Sequence, residues 1–338
     1  MITHAGKRTL TLENRPYLLS HAAAVGKKEG EGPLGSRFDF VTRNDRMGQK
    51  SWELAESELQ RTAIDLALRK GSLRHCDLDL ILAGDLLNQC IGSFLASMHS
   101  DVPYLGQYGA CSTMAQGLAL GGVLVEAGAA ARLAVSASSH FCSAERQYRF
   151  PLAYGGQRTP TAQWTATAAG AAVLGAEGGS SVRMTHVLFG KMIELGVKDA
   201  NNMGAAMAPA ACDTISCLLR ELGAQPTDFD CIVTGDLGRV GADLLLTLLR
   251  EDGIDLSPVY SDCGILLFGD TQDAHAGGSG CGCSAAVLCG PLLRDMHEGK
   301  IRRMIFAGTG AMMSPTSVQQ SQPIAGICHA VVLERSDA

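Results

Sequence analysis

The sequence predicts an α/β fold made of two related halves, and a repeated motif is the first observation that indicates it. DLDLILAGDL at 77–86 and DFDCIVTGDL at 228–237 match in spacing and in character. Each contains two acidic residues, an apolar strand-like run, and then Gly-Asp-Leu. Self-similarity at a fixed separation is the sequence signature of a repeated architecture.

A second repeated pair follows the first in the same order, again shifted by roughly half the chain. Each copy has a cysteine-containing turn, a segment of small residues that is typical of a helix, and a strand-like run. The two copies are ACST (110–113) with RLAVSASS (132–139), and GCSA (282–285) with RRMIFAGTG (302–310). Two repeats in the same order favour duplication over coincidence.

Helical and strand-like segments alternate within each half, which is the third observation. Residues 51–71 have helical periodicity, with Ser51 as a suitable N-cap and Gly71 as a suitable stop. The apolar run at 78–83 is then typical of a buried strand, and the helix-like segment 205–223 precedes its counterpart in the same way. The apolar face of the first helix is predicted to comprise Trp52, Ala55, Leu59, Ala63 and Leu66.

Helices that alternate with buried strands are typical of sheets covered by helices on both faces. Two such halves, when stacked, predict a five-layered α/β/α/β/α arrangement. GAEGGSS at 175–181 is a Gly/Ser-rich turn between two strand-like segments. We therefore expect an N-terminal half of residues 1–177, which carries Cys111, and a C-terminal half of residues 178–338.

Charge and hydropathy exclude several functional classes. The 338 residues carry a formal net charge of −6, so we expect no basic surface that would displace counterions from nucleic acid. The opening MITHAGKRTLTLENRP lacks the apolar run of a signal peptide, and no apolar stretch is long enough to span a bilayer. Any membrane association is expected to be peripheral or to depend on a partner.

The 12 cysteines are expected to be reduced thiols, because the chain shows no secretion signal. Cys281 and Cys283 form the tightest pair, but no second pair and no histidine motif completes a zinc site. We predict no metal and no cofactor.

Cys111 lies in the small-residue turn GACST (109–113), directly before a predicted helix. The positive end of a helix and its free N–H groups stabilise a thiolate, which suits a nucleophile. A free cysteine also commonly acts as a small buried apolar side chain. The sequence leaves both interpretations open.

The duplicated halves, the GACST turn and GAAVL at 170–174 resemble the thiolase superfamily, which includes the thiolases and the condensing ketoacyl synthases. More narrowly, the chain resembles the stage V sporulation protein AD family of spore-forming Firmicutes. The stretches that carry this resemblance are GPLGSRFD (32–39), KSWELAE (50–56), LILAGDLLNQ (80–89), SSHFCSAERQYRFPLAYGGQ (138–157), PTAQWT (160–165), MGAAMAPAACDTI (203–215), AGGSGCGCSA (276–285) and HAVVLER (329–335).

The resemblance implies a thiolase-like fold and a protein that binds dipicolinic acid (pyridine-2,6-dicarboxylate). It implies membership of the SpoVA apparatus for dipicolinate uptake into the forespore and release on germination, with the other SpoVA membrane proteins as partners. It also implies a peripheral location on the spore inner membrane and pairing as a homodimer. Whether calcium accompanies dipicolinate is left open.

The chain departs from the condensing enzymes that it resembles. Those enzymes pair the cysteine with a histidine and with an asparagine or a second histidine, all from the C-terminal half. Thr234, Gly235 and Asp236 occupy the place of that histidine, and GCGCSAA (280–286) stands where the asparagine is usual. We therefore predict a non-catalytic binding protein. An acyltransferase or condensing enzyme with Cys111 as its acyl-carrying nucleophile is the alternative.

A dipicolinate pocket needs cations or N–H donors for two carboxylates and a slot for a flat ring. Arginines of the segment 143–158 suit the carboxylates, because a guanidinium meets a carboxylate with two parallel hydrogen bonds. His140 either binds a ligand carboxylate, acts as a base, or is a structural histidine. The predicted ligand-binding residues are Cys111, Ser112, His140, Arg146, Arg149, Tyr154, Asp236, Cys283 and Ser284.

Two further segments allow more than one interpretation. NNMGAAMAPAA (201–211) is predicted to be a loop that enters a helix, with methionines that line an adaptable pocket wall or fill the core. GKKEGEGPLGSR (26–37) is either a partner-binding arm or an ordered surface loop.

Overall fold

The computed structural model of the chain describes residues 1–148 and 158–336. The strands are β1 (Ile2–His4), β2 (Thr9–Leu12), β3 (Tyr17–Val25), β4 (Phe40–Val41), β5 (Leu80–Gly84), β6 (Tyr104–Gly106), β7 (Arg132–Ser139), β8 (Trp164–Thr165), β9 (Ala168–Gly175), β10 (Val182–Leu188), β11 (Cys231–Thr234), β12 (Tyr260–Asp262), β13 (Gly278–Ser279), β14 (Arg303–Met312) and β15 (Ala325–Arg335). The helices are α1 (Lys27–Gly30), α2 (Trp52–Lys70), α3 (Ile91–Ser97), α4 (Thr113–Glu126), α5 (Phe141–Tyr148), α6 (Met203–Leu222), α7 (Gly238–Glu251), α8 (Cys263–Leu267), α9 (Cys281–Val287), α10 (Leu293–His297) and α11 (Pro315–Gln319).

Two five-stranded parts with the same topology meet at β3 and β10. From this junction outward, one part runs β3-β9-β7-β5-β6 and the other runs β10-β15-β14-β11-β12. In both, the first two strand pairs are antiparallel and the last two are parallel. Each part therefore has the chain order first, fifth, fourth, second, third. This identity confirms the predicted duplication.

Helices lie on the outer face of each five-stranded part and also between the two parts, which gives five layers. Helix α2 packs on β3, β7 and β9, and α6 covers β14 and β15 on the far side, with α7 packed against α6. Helix α4 lies between the two parts, in contact with β7 as well as β14 and β15, and α9 lies beside it. Neighbouring residues of one strand alternate between cores: Ala171 faces the α2 side and Ala172 faces the α4 side. The layered α/β prediction is confirmed.

Local signals position the outer helix α2 as the sequence predicts. The Ser51 hydroxyl accepts a hydrogen bond from the Leu54 N–H, and Gly71 is the C-cap. Ala55, Leu59 and Ala63 are buried, as expected from the helical period. The face then turns toward Ile64, Ala67 and Leu68, so that Leu66 lies at the margin of the buried stripe.

Glycines of β14 let the Cys111 turn approach the second half closely. A Cβ added at Gly310 would lie 2.6 Å from the Gly109 carbonyl oxygen and 3.0 Å from the Ser112 nitrogen. One at Gly308 would lie 2.5 Å from the Ala115 Cβ. The start of α4 therefore sits directly against bare backbone of β14.

Within residues 1–148 and 158–336, no helix combines the length and the apolar character needed to cross a membrane.

Candidate functional site

The turn that holds Cys111 is fixed by its own hydroxyl groups. Ala110 adopts a left-handed backbone conformation with a φ of 50°, so the chain reverses directly before α4. The Ser112 hydroxyl donates to the Gly109 carbonyl at 2.6 Å, and the Thr113 hydroxyl donates to the Ala110 carbonyl at 2.7 Å. Ser112 is fully buried and shapes the turn through this bond.

Cys111 lies in the wall of a cavity with about 460 Å³ of empty space, its open mouth included. The cavity is narrow, and little of its empty space has room for a water-sized molecule. Two flexible methionines, Met203 and Met313, stand in the wall, so small side-chain movements change its width. The described lining residues are Leu86, Tyr108, Ala110, Cys111, Ala144, Glu145, Tyr148, Thr165, Ala200, Met203, Ser279, Ala311 and Met313.

Two tyrosines provide a hydrogen-bonded bridge in the cavity wall. The Tyr148 hydroxyl donates to the Leu86 carbonyl, and its oxygen lies 2.9 Å from the Tyr108 hydroxyl. Burial raises the pKa of Tyr108 to about 12 and raises the pKa of Tyr148 further above its usual value. Both hydroxyls are therefore protonated at neutral pH and available as neutral hydrogen-bonding groups.

Asp236, at the end of β11, meets the Cys111 turn from the second half. Its carboxyl is fully buried and hydrogen-bonds the Cys111 thiol. It also accepts from the Gly280 N–H at 2.8 Å and from the Thr309 hydroxyl at 3.0 Å. Burial raises the pKa of Asp236 to about 7, and repulsion from Asp262 adds to this, whereas the three hydrogen bonds oppose it. Asp236 thus titrates near neutrality next to the cysteine.

The other predicted residues of the second half lie behind the cavity wall. Cys283 is completely buried in the core, where burial raises the pKa of its thiol. The Ser284 hydroxyl lies 3.4 Å from the Cys111 carbonyl oxygen and supports the turn. Cys281 is also buried and donates to the Ser138 carbonyl at 2.9 Å. Neither Cys283 nor Ser284 is among the lining residues.

His140 is held by backbone on both sides of its ring. Its Nδ1 accepts from the Cys142 N–H at 3.1 Å, so Nε2 carries the proton and donates to the Asp45 carbonyl at 2.9 Å. Burial lowers the pKa of His140, which keeps the ring neutral. The structure places it outside the described cavity lining, and its role in ligand binding stays a prediction.

Within the described residues, the structure does not bring the predicted arginine and tyrosine ligands together at the cavity. Arg146 is on the surface, with its side chain half exposed and paired with Glu53. Arg149 and Tyr154 lie outside the described residues. Contact of these three side chains with a ligand therefore stays a prediction.

Sequence reasoning missed several of the residues that line the cavity. Tyr108 directly precedes the GACST turn, and Glu145 lies in the arginine-containing segment 143–158. The Glu145 carboxyl is buried and accepts from the Thr165 hydroxyl at 2.9 Å. Glu145 lies three residues before Tyr148, and residues three apart share a helix face. This spacing was the sequence signal that could have placed Glu145 beside Tyr148. Of the two methionines in 201–211, Met203 lines the cavity and Met207 lies in the core, so the two roles left open by the sequence are divided between them.

Comparisons with known proteins agree with this architecture. Residues 6–334 match the family model described as stage V sporulation protein AD. Stage V sporulation protein AD of Bacillus subtilis (strain 168) is 42% identical over 331 residues, which is 98% of each chain. Among solved structures, 3-oxoacyl-[acyl-carrier-protein] synthase III of Aquifex aeolicus VF5 matches with a TM-score of 0.58 and 14% identity over 94% of this chain and 99% of that one.

The Pseudomonas aeruginosa PAO1 enzyme of the same name matches with a TM-score of 0.57 and 15% identity, over 96% of this chain and 99% of that one. At such identities the two synthases support the thiolase-like fold alone. The match to the sporulation family, by contrast, extends over almost the whole chain in both sequence comparisons. This protein therefore belongs to the stage V sporulation protein AD family.

Proposed function

We propose that this protein binds dipicolinic acid without transforming it, as a component of the SpoVA apparatus that moves dipicolinate into the forespore and releases it on germination. The observation that carries the proposal is the carboxyl of Asp236 against the Cys111 thiol. Once ionised, this carboxyl places negative charge beside the sulfur, which disfavours the thiolate that nucleophilic attack requires. Cys111 then serves as a wall residue.

The cavity above Cys111 suits the ring of such a ligand. Its walls are largely apolar and include two tyrosines whose hydroxyl groups remain protonated. A flat ring is bound by apolar walls together with a few placed polar groups. Met203 and Met313 allow the narrow interior to widen around the ring.

The same proposal includes the assembly in which the protein works. Its partners are the other SpoVA membrane proteins, and its location is the periphery of the spore inner membrane. The protein pairs as a homodimer and requires no cofactor. Calcium, where it is present, enters the site as the calcium complex of dipicolinate.

A second candidate function is acyl transfer, in which Asp236 would act as the base for the Cys111 thiol. A carboxylate that titrates near pH 7 is a suitable general base at neutral pH. The Cys111 sulfur would bond to the carbonyl carbon of an acyl thioester, and the bond from that carbon to the donor sulfur would break. The thiol proton would pass through Asp236 to the departing thiolate.

Calorimetric titration of dipicolinate separates the two functions. The wild type and Cys111→Ala are titrated with and without Ca²⁺, and both are incubated with an acyl-CoA before mass spectrometry. Saturable dipicolinate binding that survives the substitution supports the binding function. An acyl mass on Cys111, together with no measurable heat of dipicolinate binding, overturns the binding function in favour of acyl transfer.

A further inference from the structure

Two successive residues before α3 adopt a backbone conformation that their side chains disfavour. Gln89 has a φ of 53° and Cys90 has a φ of 52°, both in the left-handed region. Glycine occupies this region freely, whereas a residue with a Cβ is strained in it. Such strain persists only where the surrounding structure holds it, and it is concentrated at binding sites and switch segments. Residues 86–98, which contain this turn and α3, are called the lid segment below.

The lid segment begins in the wall of the cavity. Leu86 lines the cavity, and its carbonyl oxygen accepts hydrogen bonds from the Tyr148 hydroxyl and from the Gln147 side-chain amide, the latter at 3.3 Å. The oxygen of that amide accepts from the Asn88 N–H at 3.0 Å. Helix α5, which carries Gln147 and Tyr148, therefore holds the lid segment closed through these hydrogen bonds.

Two further groups hold the lid segment by hydrogen bonds. The Asp85 carboxyl accepts from the Leu87 N–H at 2.8 Å and from the Ser93 N–H at 2.7 Å. The Cys90 thiol donates to the Gln107 carbonyl at 3.2 Å. Water replaces hydrogen bonds of this kind when a segment moves away, so their net contribution to closure is small.

Helix α3 itself is anchored by little apolar surface. Its buried residues all have small side chains: Gly92, Ser93, Ala96 and Ser97. The large side chains of Phe94 and Met98 point outward, and these residues are 40% and 58% exposed. The buried Ser97 hydroxyl has no hydrogen-bond partner among residues 1–148 and 158–336. Because apolar burial is the main force that holds elements together, α3 belongs to the weakly held parts of the fold.

A ligand of the proposed class enters the cavity only if part of the wall moves. Little of the empty space has room for a water-sized molecule, and a pyridine dicarboxylate is several times larger than water. Leu86 and Tyr148 both lie in the wall and are hydrogen-bonded to each other. Movement of the lid segment therefore opens the wall at this point.

We propose that the lid segment opens and closes the cavity, with the turn at Gln89 and Cys90 as its hinge. The closed form keeps the hinge left-handed and Leu86 in the wall. In the open form the hinge leaves the left-handed region, α3 moves outward, and water reaches the Ser97 hydroxyl. The class of ligand that passes the lid, a pyridine dicarboxylate, rests on the proposed function, whereas the movement is tested without a ligand.

Alkylation of Cys111 by iodoacetamide reports the movement, because this residue lies in the cavity wall and is only 5% exposed. Peptide mass spectrometry separates Cys111 from the other cysteines of the chain. A reagent that reaches the sulfur only in the open form reacts at a rate proportional to the population of that form.

Substitution of Gln89 shifts this population in either direction. Gln89→Gly fits the left-handed turn, and we expect it to slow alkylation of Cys111 roughly threefold. Gln89→Val places a β-branched side chain in the same turn and is expected to speed alkylation roughly threefold. Ser72→Gly and Ser72→Val are the matched controls, because Ser72 is also left-handed, with a φ of 55°, but lies outside the lid segment. Both controls are expected to react at the wild-type rate.

Amide hydrogen exchange is a second measurement, and its wild-type arm needs no variant. The amides of α3 are expected to exchange roughly tenfold or more faster than those of α4, which lies between the two parts of the sheet. Exchange of the α3 amides is expected to slow in Gln89→Gly and to speed up in Gln89→Val. One opening governs both measurements, so the two sets of rates change in parallel.

The outcomes separate this inference from the proposed function. Exchange in α3 as slow as in α4 overturns the lid, and so does alkylation of Cys111 that is unchanged, or changed in the same direction, in both Gln89 variants. Calorimetric binding of dipicolinate alongside such a result leaves the proposed function standing. Opening seen by alkylation and exchange, without any binding of dipicolinate, supports the lid and overturns the proposed function.

Discussion

The Cys111 thiol in the first half of the chain hydrogen-bonds the buried Asp236 carboxyl in the second half. Cys111 lies two residues before the start of α4, and Asp236 lies two residues after the end of β11. The contact therefore joins two different parts of the repeat, the cysteine turn of the first half and the Gly-Asp-Leu motif of the second, next to the cavity that Cys111 lines. It also makes Asp236 the group through which pH acts on the cysteine.

Asp236→Asn is expected to change how stability depends on pH. The folded protein holds a proton on Asp236 up to about pH 7, whereas an unfolded aspartate loses it near pH 4. The wild type therefore loses stability as pH rises between these values, by roughly 1.4 kcal/mol per pH unit. Asp236→Asn lacks this contribution. Its unfolding free energy, relative to that of the wild type, is therefore expected to increase as pH rises.

Urea unfolding of both proteins at pH 5, 6, 7 and 8 measures the effect. Substitution of the exposed Asp101 by Asn is the control and is expected to leave the slope unchanged. A constant difference between wild type and Asp236→Asn across this range would mean that Asp236 is ionised throughout.

Features set by local or periodic signals were predictable from the sequence. The helical period placed Ala55, Leu59 and Ala63 in the core, and the repeated motifs predicted two parts of equal topology. Leu66 departs from the predicted face, because the buried stripe of α2 turns toward Ala67 and Leu68. Which side chains at the margin of the stripe meet the sheet is a tertiary property that periodicity does not contain.

The candidate site was predictable only in part. Cys111 and Asp236 were both expected at a ligand site, but their contact depends on how the halves stack. Tyr148 reaches the Leu86 carbonyl across 62 residues, and no motif marks either residue as a partner of the other. Contacts of this kind follow from the fold and not from spacing.

Acid is expected to destabilise the protein through His21. Its ring is buried, stacks on His297 at a centroid distance of 5.2 Å, and has Nδ1 2.5 Å from the Cys289 carbonyl oxygen. Burial and the nearby Lys70 lower the pKa of His21 to about 4. The unfolded chain binds this proton near pH 6.5, so stability falls as pH decreases from about 6.5 to about 4.

His21→Gln, whose amide can still donate to the carbonyl of Cys289, is expected to reduce that loss by up to roughly 1.4 kcal/mol per pH unit. Thermal or urea unfolding between pH 4 and 7 provides the measurement, with the exposed His99→Gln as control. Parallel pH profiles for wild type and His21→Gln would contradict a buried neutral ring.

Gly310→Ala is expected to disturb the Cys111 turn. The added methyl group would lie 2.6 Å from the Gly109 carbonyl oxygen, which belongs to rigid backbone. Overpacking of this kind costs about 1–3 kcal/mol of unfolding free energy. Gly179→Ala is the matched control, because its added methyl group would meet no atom within 4 Å among residues 1–148 and 158–336. Wild-type stability and unchanged alkylation of Cys111 in Gly310→Ala would contradict the close approach of β14.

Glu56 is expected to act as a neutral hydrogen-bonding group that ties α2 to the cavity wall. Its carboxyl is fully buried and accepts from the Ser138 hydroxyl at 3.2 Å and from the Ser143 hydroxyl at 2.7 Å. Burial raises the pKa of Glu56 well above its usual value, and the nearby Asp85 carboxylate adds to this. Ser143 belongs to α5, the helix that supplies Tyr148 to the cavity.

Glu56→Gln replaces one neutral group by another of the same shape, so we expect unfolding free energy within about 1 kcal/mol of the wild type. Glu56→Ala leaves the Ser138 hydroxyl without its acceptor and the Ser143 hydroxyl with only the His140 carbonyl, and it is expected to cost about 2–4 kcal/mol. Urea unfolding at pH 7 compares them, with Glu58→Ala on the same helix as control. Equal losses in the two Glu56 variants would mean that the carboxyl is ionised in the folded protein, because an amide cannot replace a buried carboxylate, and the expectation of a neutral group would be wrong.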